Sequence, residues 1–371
     1  MRAIAVNPQR RVVELVEHET PRLSSPTQVR LRMLDVGVCG TDREICTFQY
    51  GAPPSGSEHL VLGHESLGEV IAVGSEVTRV RPGDLVVTMV RRPCDHDDCQ
   101  PCRAGRQDFC STGDFRERGI GGLHGFMTES VVDEERYMHV VPRALRDVAV
   151  LVEPLTIAEK ALIQVAHVQQ RLPWACAVAP GGRRQVCHRA VVIGAGPVGL
   201  LGAMALVNAG FETWVYSRER EPNPKAAVVG RIGAHYVSAA DATVAQLAAA
   251  VGNIDLVYEA TGASAVAFDV MRVLGVNGIF VFTGVPGRKA PITVDTDAIM
   301  RSLVLKNLVV FGTVNAGADA FAAAIADLAR FQERWPDAVA ALITGRHPVE
   351  KYRDLLLGPL QGIKNVVQFA A

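Results

Sequence analysis

Up to about residue 150 the chain alternates short apolar runs with turn-forming residues, the signature of strands rather than long helices. The runs 29–34, 67–73, 84–90 and 126–132 are rich in valine and bounded by glycine, proline and charged residues. β-Branched side chains suit a pleated, half-buried surface, so this part predicts an antiparallel β domain. From 160 to 315 the texture changes: 190–193, 213–216, 254–258 and 278–283 read as strands, with helices at 197–209, 224–232, 242–251 and 265–273 between them. Such alternation predicts βαβ units and a parallel sheet. An Ala-rich amphipathic helix at 319–335, stopped by Pro336, and a short closing segment complete the chain; 175–188 reads as a loop into the first parallel strand. There is no internal repeat.

Length and charge narrow the classes. At roughly 100–200 residues per domain, 371 residues predict two or three domains. Thirty-eight Lys and Arg against 39 Asp and Glu leave a formal charge of -1, without the basic excess that a nucleic-acid partner requires. The uncharged stretch 190–211 has the length of a membrane span, but Gly194, Gly196, Gly199, Gly202, Gly210 and Pro197 fit a strand, turn and helix better. The opening MRAIAVNPQRR has no apolar core of a secretory signal, so a cytoplasmic protein without membrane association is expected. Of eight cysteines, Cys94, Cys99, Cys102 and Cys110 cluster, while Cys39, Cys46, Cys176 and Cys187 are scattered. A tight cluster in such a chain reads as a metal site rather than a disulfide framework.

Two patterns carry chemistry. Gly194-Ala195-Gly196-Pro197-Val198-Gly199 follows a strand and opens a helix, the G-x-G-x-x-G arrangement for a dinucleotide. The first glycine permits the turn, the second lets backbone approach a pyrophosphate, and the third packs helix on strand. After the second strand, where an NAD site places a ribose-binding carboxylate, stands Ser217-Arg218-Glu219-Arg220. A hydroxyl and a guanidinium suit the 2′-phosphate of NADP, which is favoured over NAD; Glu219 is the alternative, ribose-binding reading. The second pattern is a set of zinc-ligand types in the β domain: Cys39, His64, Glu65 and Glu153. Singly, each fits a core or surface position equally well, and composition cannot join them.

The order of motifs does join them. G-V-C-G-T-D around Cys39, G-H-E around His64 and Glu65, the cysteine lobe, E-P-L around Glu153 and the glycine fingerprint together resemble the zinc-dependent medium-chain alcohol dehydrogenases. Arg91-Arg92-Pro93-Cys94, Asp108-Phe109-Cys110, Ser217-Arg218, Gly312-Thr313-Val314-Asn315 and Arg334-Trp335-Pro336 bring the chain closest to the glucose 1-dehydrogenase branch. The resemblance implies an α/β protein: a GroES-like β-rich catalytic domain from 1–158 and 316–371, and a Rossmann doubly wound parallel-sheet domain at 159–315, with the active site in the cleft between them. It implies a catalytic zinc on Cys39 and His64, with Glu65 and Glu153 as further or exchanging ligands. Thr41 would accept the substrate proton, and Glu117, Glu153 and Asn315 would bind sugar hydroxyls. The cofactor residues would be Gly194, Gly196, Pro197, Val198, Gly199, Ser217, Arg218, Thr283, Gly284, Val285, Thr313, Val314 and Asn315. The implied reaction is oxidation of an aldose, glucose by default, at C1 to the aldonolactone, by a homo-oligomer (dimer or tetramer).

Alternatives stay open on the residues. Glu117 lies in Arg116-Glu117-Arg118, which equally fits an exposed charged loop, and Asn315 fits an N-cap for the Ala-rich helix. The family's structural-zinc lobe runs C-x2-C-x2-C-x7-C, but Cys94 stands four residues before Cys99, with His96 at the usual position. Cys94 with the longer loop is favoured over His96 as the fourth ligand of a structural zinc. A polyol or secondary-alcohol dehydrogenase is the competing enzyme class. A catalytically retired binding protein is opposed by the complete ligand set, and a zinc-finger module by the charge.

Overall fold

The computed structural model describes residues 1–173, 188–287 and 290–369. The chain forms two compact units: Met1–Thr156, Asn315–Gln332 and Leu342–Ala371 make the first, and Ile157–Val314 with Glu333–Ala341 the second.

The first unit is β-rich, built around strand Gln28–Gly37. It pairs antiparallel with Glu65–Val73, with Lys364–Gln368 and with Ser130–Glu134. Burial alternates along its first half, as a one-sided strand requires, then becomes continuous from Met33 to Gly37 where the strand enters the interior. Outward from Glu65–Val73 lie Leu85–Thr88 and Met138–Val141; beyond Lys364–Gln368 lies Ile343–Pro348, in parallel. The closing segment is therefore more than a tail, since it supplies two strands to the main sheet. Pro336 does not simply stop a helix. The Ala-rich helix runs Ala318–Arg334, and Pro336 opens a further helix, Pro336–Leu342, where its missing N–H costs nothing. The apolar run at 126–132 is strand only in its second part, within Ser130–Glu134. Phe126 and Met127 are fully buried and donate to the carbonyls of Gly63 and Leu62, so core packing, not strand pairing, accounts for their apolarity.

The second unit carries six parallel strands in the order His235–Ser238, Glu212–Ser217, Arg189–Ile193, Leu256–Glu259, Ile279–Phe282, Val309–Gly312. The chain starts mid-sheet and winds outward in both directions, which makes a topological switch at the end of Arg189–Ile193. The uncharged stretch 190–211 is that strand followed by helix Pro197–Asn208. Among the described residues no helix is long and apolar enough to cross a membrane. Strands His235–Ser238 and Val309–Gly312 are absent from the hydrophobic reading because each has only four residues with few buried positions. The loop expected at 175–188 lies outside the described residues, His188 apart.

A buried charge cluster holds the β-rich unit. Arg92 and Arg118 both donate to Oδ2 of Asp133, Arg118 from 3.0 Å, and Arg92 also stacks 3.8 Å from the Tyr137 ring centroid. Burial raises the cost of the Asp133 charge, yet the two guanidinium groups outweigh it and hold the carboxyl below its ordinary range. Asp133→Asn strands Arg92, which is only 5% exposed. We expect it to destabilise this unit by about 3–5 kcal/mol in urea unfolding, against less than about 1 kcal/mol for an ordinary surface pair.

Candidate active site

Three donors of different chemistry converge in the first unit. One ligand atom each from Cys39, His64 and Glu65 lies within 4.8 Å of the others, a set able to hold a metal ion. Cys39 sits just before helix Gly40–Ile45, and its backbone N–H donates to Oδ2 of Asp42 at 2.8 Å. The other oxygen of Asp42 accepts from Gly63 N–H at 3.2 Å and faces His64 Nδ1 at 3.4 Å. This fully buried aspartate thus ties the cysteine turn to the histidine turn and stands on the Nδ1 side of the imidazole, which leaves Nε2 as the ring atom to ligate. Burial resists protonation of His64, but Asp42 and the Cys39 sulfur outweigh it and hold its proton affinity well above the ordinary histidine range.

Glu65 is not free. Both its oxygens accept from Lys364 Nζ, at 2.7 and 2.5 Å, and this lysine also donates to the Val38 carbonyl at 3.2 Å. A Cβ on Gly37 would stand 2.1 Å from Glu65 Oε2, so glycine there makes room for the carboxylate. Glu153, in the first turn of helix Val152–Gln169, lies outside the 4.8 Å group. Burial pushes its carboxyl up to about 7; His64 opposes the rise and the Glu65 charge adds to it.

Glu117 and Asn315 meet. Asn315 Nδ2 donates to Glu117 Oε1 at 3.1 Å, and Arg91 Nε and Nη2 lie 3.0 Å from the same oxygen. Among the described residues Oε2 accepts no hydrogen bond. Neither alternative for these residues holds. Glu117 is buried in strand Arg116–Arg118, not on an exposed loop, and Asn315 precedes the helix by three residues, in a left-handed backbone conformation with its side chain bonded to its neighbour Ala316. Thr41 is half-buried, two residues after Cys39.

The cysteine lobe is closed by four sulfurs. Cys94, Cys99, Cys102 and Cys110 form one group, with Sγ–Sγ distances of 3.7 Å for Cys94–Cys102 and 3.9 Å for Cys99–Cys110. Tetrahedral thiolates at ~2.3 Å from zinc stand about 3.8 Å apart, so the spacing already suits the ion. His96 is elsewhere, its Nε2 paired with the exposed Asp114 at 2.5 Å. Hydrogen bonds from Ser111 and from the Cys102 and Ser111 amides pull Cys99 down to about 5, while burial pushes Cys102 up to about 12. Crowded thiols cannot all ionise unaided; a divalent cation would allow it.

In the second unit the glycines act as their spacing predicts. Gly194 has φ +103°, and a Cβ there would meet Thr261 at 2.4 Å; one on Gly199 would meet the Gly194 carbonyl oxygen at 2.1 Å. A Cβ on Gly196 would meet nothing within 4 Å: the space a pyrophosphate needs is open at the N-terminus of helix Pro197–Asn208. Val198 follows Pro197 in that helix's first turn. Beyond the second strand Glu219 pairs with Lys225 and Arg220 with Asp241, whereas Arg218 is exposed beside half-buried Ser217. Thr283 and Gly284 are tied to Glu259 by bonds of 2.7 and 3.2 Å, with Val285 exposed after them, and Gln164 fixes Thr313 while Lys160 fixes the Val314 carbonyl.

Comparison with known proteins matches this arrangement. Residues 25–143 fit the alcohol dehydrogenase GroES-like domain, and residues 146–369 fit the glucose dehydrogenase C-terminus. The chain belongs to the glucose dehydrogenase branch of the medium-chain alcohol dehydrogenases. It is 36% identical to a glucose 1-dehydrogenase of Methanocella arvoryzae, covering 100% of both chains, and 38% identical to that of Thermoproteus tenax, covering 99% of both. Among solved structures it is similar to Haloferax mediterranei glucose dehydrogenase in complex with NADP, Zn and gluconolactone, with a TM-score of 0.88, 30% identity and full coverage of both chains. The architecture is that of the family, a GroES-like β-rich domain with a Rossmann parallel sheet.

Two residues of this site carry no assignment from sequence alone. Asp42 stands inside the cysteine motif, which was its signal. Lys364 is 299 positions from Glu65, and nothing local marks it beyond a lysine opening an apolar strand. At the catalytic and cysteine-lobe sites together, in protein to which no zinc has been added, we expect two zinc ions per chain, one released by Cys94→Ser and neither by His96→Ala, as counted by elemental analysis. The opposite pattern would make His96 the ligand, and one zinc in the loaded wild type would remove the lobe site.

Proposed function

We propose that this chain is a zinc-dependent, NADP-preferring aldose 1-dehydrogenase that oxidises glucose at C1 to the lactone. The observation that carries the reading is the convergence of a cysteine sulfur, an imidazole and a carboxylate at Cys39, His64 and Glu65, backed by buried Asp42 and Lys364. A donor set of that kind suits a catalytic zinc, with Glu153 as an additional or exchanging ligand. Zinc, when bound, supplies Lewis acidity that weakens a hydroxyl's hold on its proton, and NADP supplies the acceptor for the hydride from C1. The lactone forms with release of one proton.

The chain's own residues do the rest. Thr41 accepts the proton of the anomeric hydroxyl and passes it on to solvent. Glu117 is held by Arg91 and Asn315 through one oxygen, so its second oxygen can accept from a sugar hydroxyl. Asn315 serves the sugar and the nicotinamide. Glu153, buried beside the donor set, accepts from another hydroxyl. Arg218, without an acidic partner among the described residues, and Ser217 hold the 2′-phosphate of NADP, since the adjacent Glu219 is engaged by Lys225. Gly194, Gly196, Pro197, Val198 and Gly199 hold the pyrophosphate, and Thr283–Val285 with Thr313–Val314 line the nicotinamide side. The catalytic domain is 1–158 with 316–371 and the dinucleotide domain 159–315, a division that the compact units support to within a few residues apart from 333–341. Exposed Met300, Val304 and Leu305 on helix Thr296–Leu305 support self-association, as a dimer or tetramer, and the protein is placed in the cytoplasm as part of this proposal.

Cofactor reduction measured over a panel of aldoses and polyols, with NAD and NADP, tests the reading. Lactone from glucose supports it; ketose from polyols alone would replace it with a polyol dehydrogenase. Cys39→Ala and His64→Ala should abolish turnover while sparing NADP binding, and near-normal kcat at wild-type zinc content would exclude them as ligands. Arg218→Ala should weaken NADP about ten- to a hundredfold, the equivalent of roughly 1.5–3 kcal/mol, with little effect on NAD. An equal loss for both cofactors would remove Arg218 from the phosphate.

A further inference from the structure

Three histidines meet in the first unit, apart from the residues of both sites described above. His18 follows strand Val12–Glu17, His59 immediately precedes Leu60–Val61, and His124 immediately follows Gly122–Leu123. Their rings pack with centroids 4.8 Å apart for His18–His124, 5.4 Å for His59–His124 and 5.6 Å for His18–His59. One ring nitrogen from each lies within 4.8 Å of the other two. His59 Nε2 is buried and has no hydrogen-bond partner among the described residues. A buried imidazole nitrogen without a partner is costly, and three imidazoles share no acid–base pairing that would explain their meeting.

We propose that His18, His59 and His124 form a further metal site, taking a late first-row divalent cation of the zinc class. Imidazole is the shared preference of zinc, nickel and copper, and three protein nitrogens with a remaining position for water make a complete coordination set for zinc. Nitrogens at ~2.0–2.1 Å from a tetrahedral ion stand about 3.4 Å apart, so the trio closes by small side-chain rotations of half-buried rings. His124 gives up one long bond on doing so through Nδ1, which accepts from Val61 N–H at 3.2 Å. A neutral imidazole carries one lone pair that can bind a metal ion. The frame is preset. Leu60–Val61 pairs with Arg2–Asn7, that strand pairs with Val12–Glu17, and Gly125 N–H bonds the Val61 carbonyl at 2.8 Å. A bound ion would therefore clip three segments remote in sequence, bracing the small sheet rather than serving the reaction.

The test is a zinc titration followed by calorimetry and by ring-nitrogen NMR, on protein dialysed against a weak chelator. Wild type should bind one more equivalent than His18→Asn or His59→Ala, with the ring signals of all three histidines moving together, and magnesium should give no such signal. Each variant should weaken that last equivalent at least tenfold and lose the zinc-dependent rise in Tm, while glucose-dependent cofactor reduction continues and reports that it is folded. Because the readout is a difference of one equivalent, it stands whatever the other two sites hold. Equal stoichiometry and affinity in wild type and His18→Asn, or zinc binding without movement of the histidine signals, would overturn the site.

Discussion

The buried pair between Lys364 and Glu65 is the constraint on which the catalytic unit depends. A charge 2% exposed and another 1% exposed are tolerable together only while they hold each other. Holding each other requires strand Lys364–Gln368 to lie against Gln28–Gly37, which in turn fixes the turn carrying Cys39. On the other side of the same strand, Gly37 faces Glu65 in register, so the histidine turn is set by the next pairing. Sheet register, not loop geometry, therefore determines where the donor atoms meet. Asp42 completes the arrangement by joining two turns that no strand connects directly.

The same reasoning separates what could be read in the sequence from what could not. The glycine fingerprint was legible because its roles lie within six residues: a turn, an open approach and a close packing are all local. Cys39 and Thr41 are local in the same way, and His64 and Glu65 are adjacent. Parallel and antiparallel textures were legible from hydrophobic period, although strands as short as His235–Ser238 fell below what a period can mark. Pro336 misled because proline has two meanings in helices, a stop and a start, and only the chain beyond it selects between them.

Contacts created by pairing of distant strands were not legible. Lys364 carries no motif, and His18, His59 and His124 lie on three segments remote in sequence, two beside strands of the small sheet and the third beside Gly122–Leu123 of another. Between Cys94 and His96 spacing alone favoured neither strongly, because a four-residue loop and a two-residue loop can both close on one ion. What separates them is a competing partner: Asp114 engages His96 on the surface, and the cysteine faces inward. Glu117 is a related case, since flanking arginines suggested solvent, whereas one of them, Arg118, turns to Asp133 and Arg91 reaches the glutamate from the paired strand.

The position of strand Lys364–Gln368 in the chain has a consequence for biosynthesis. The dinucleotide-binding unit is almost contiguous, so its parallel strands can pair as they leave the ribosome. The catalytic unit cannot, because its central strand waits for a partner that lies beyond the whole of the other unit. At ~5–20 residues per second, the interval between completion of residue 156 and arrival of Lys364 is roughly 10–40 s. Throughout it, the Asp35–Gly37 end of strand Gln28–Gly37 lacks its partner on one edge, an open template for other chains, and Glu65 has no counter-ion. Nascent chains are thus most in need of chaperone cover at the N-terminal part that was made first.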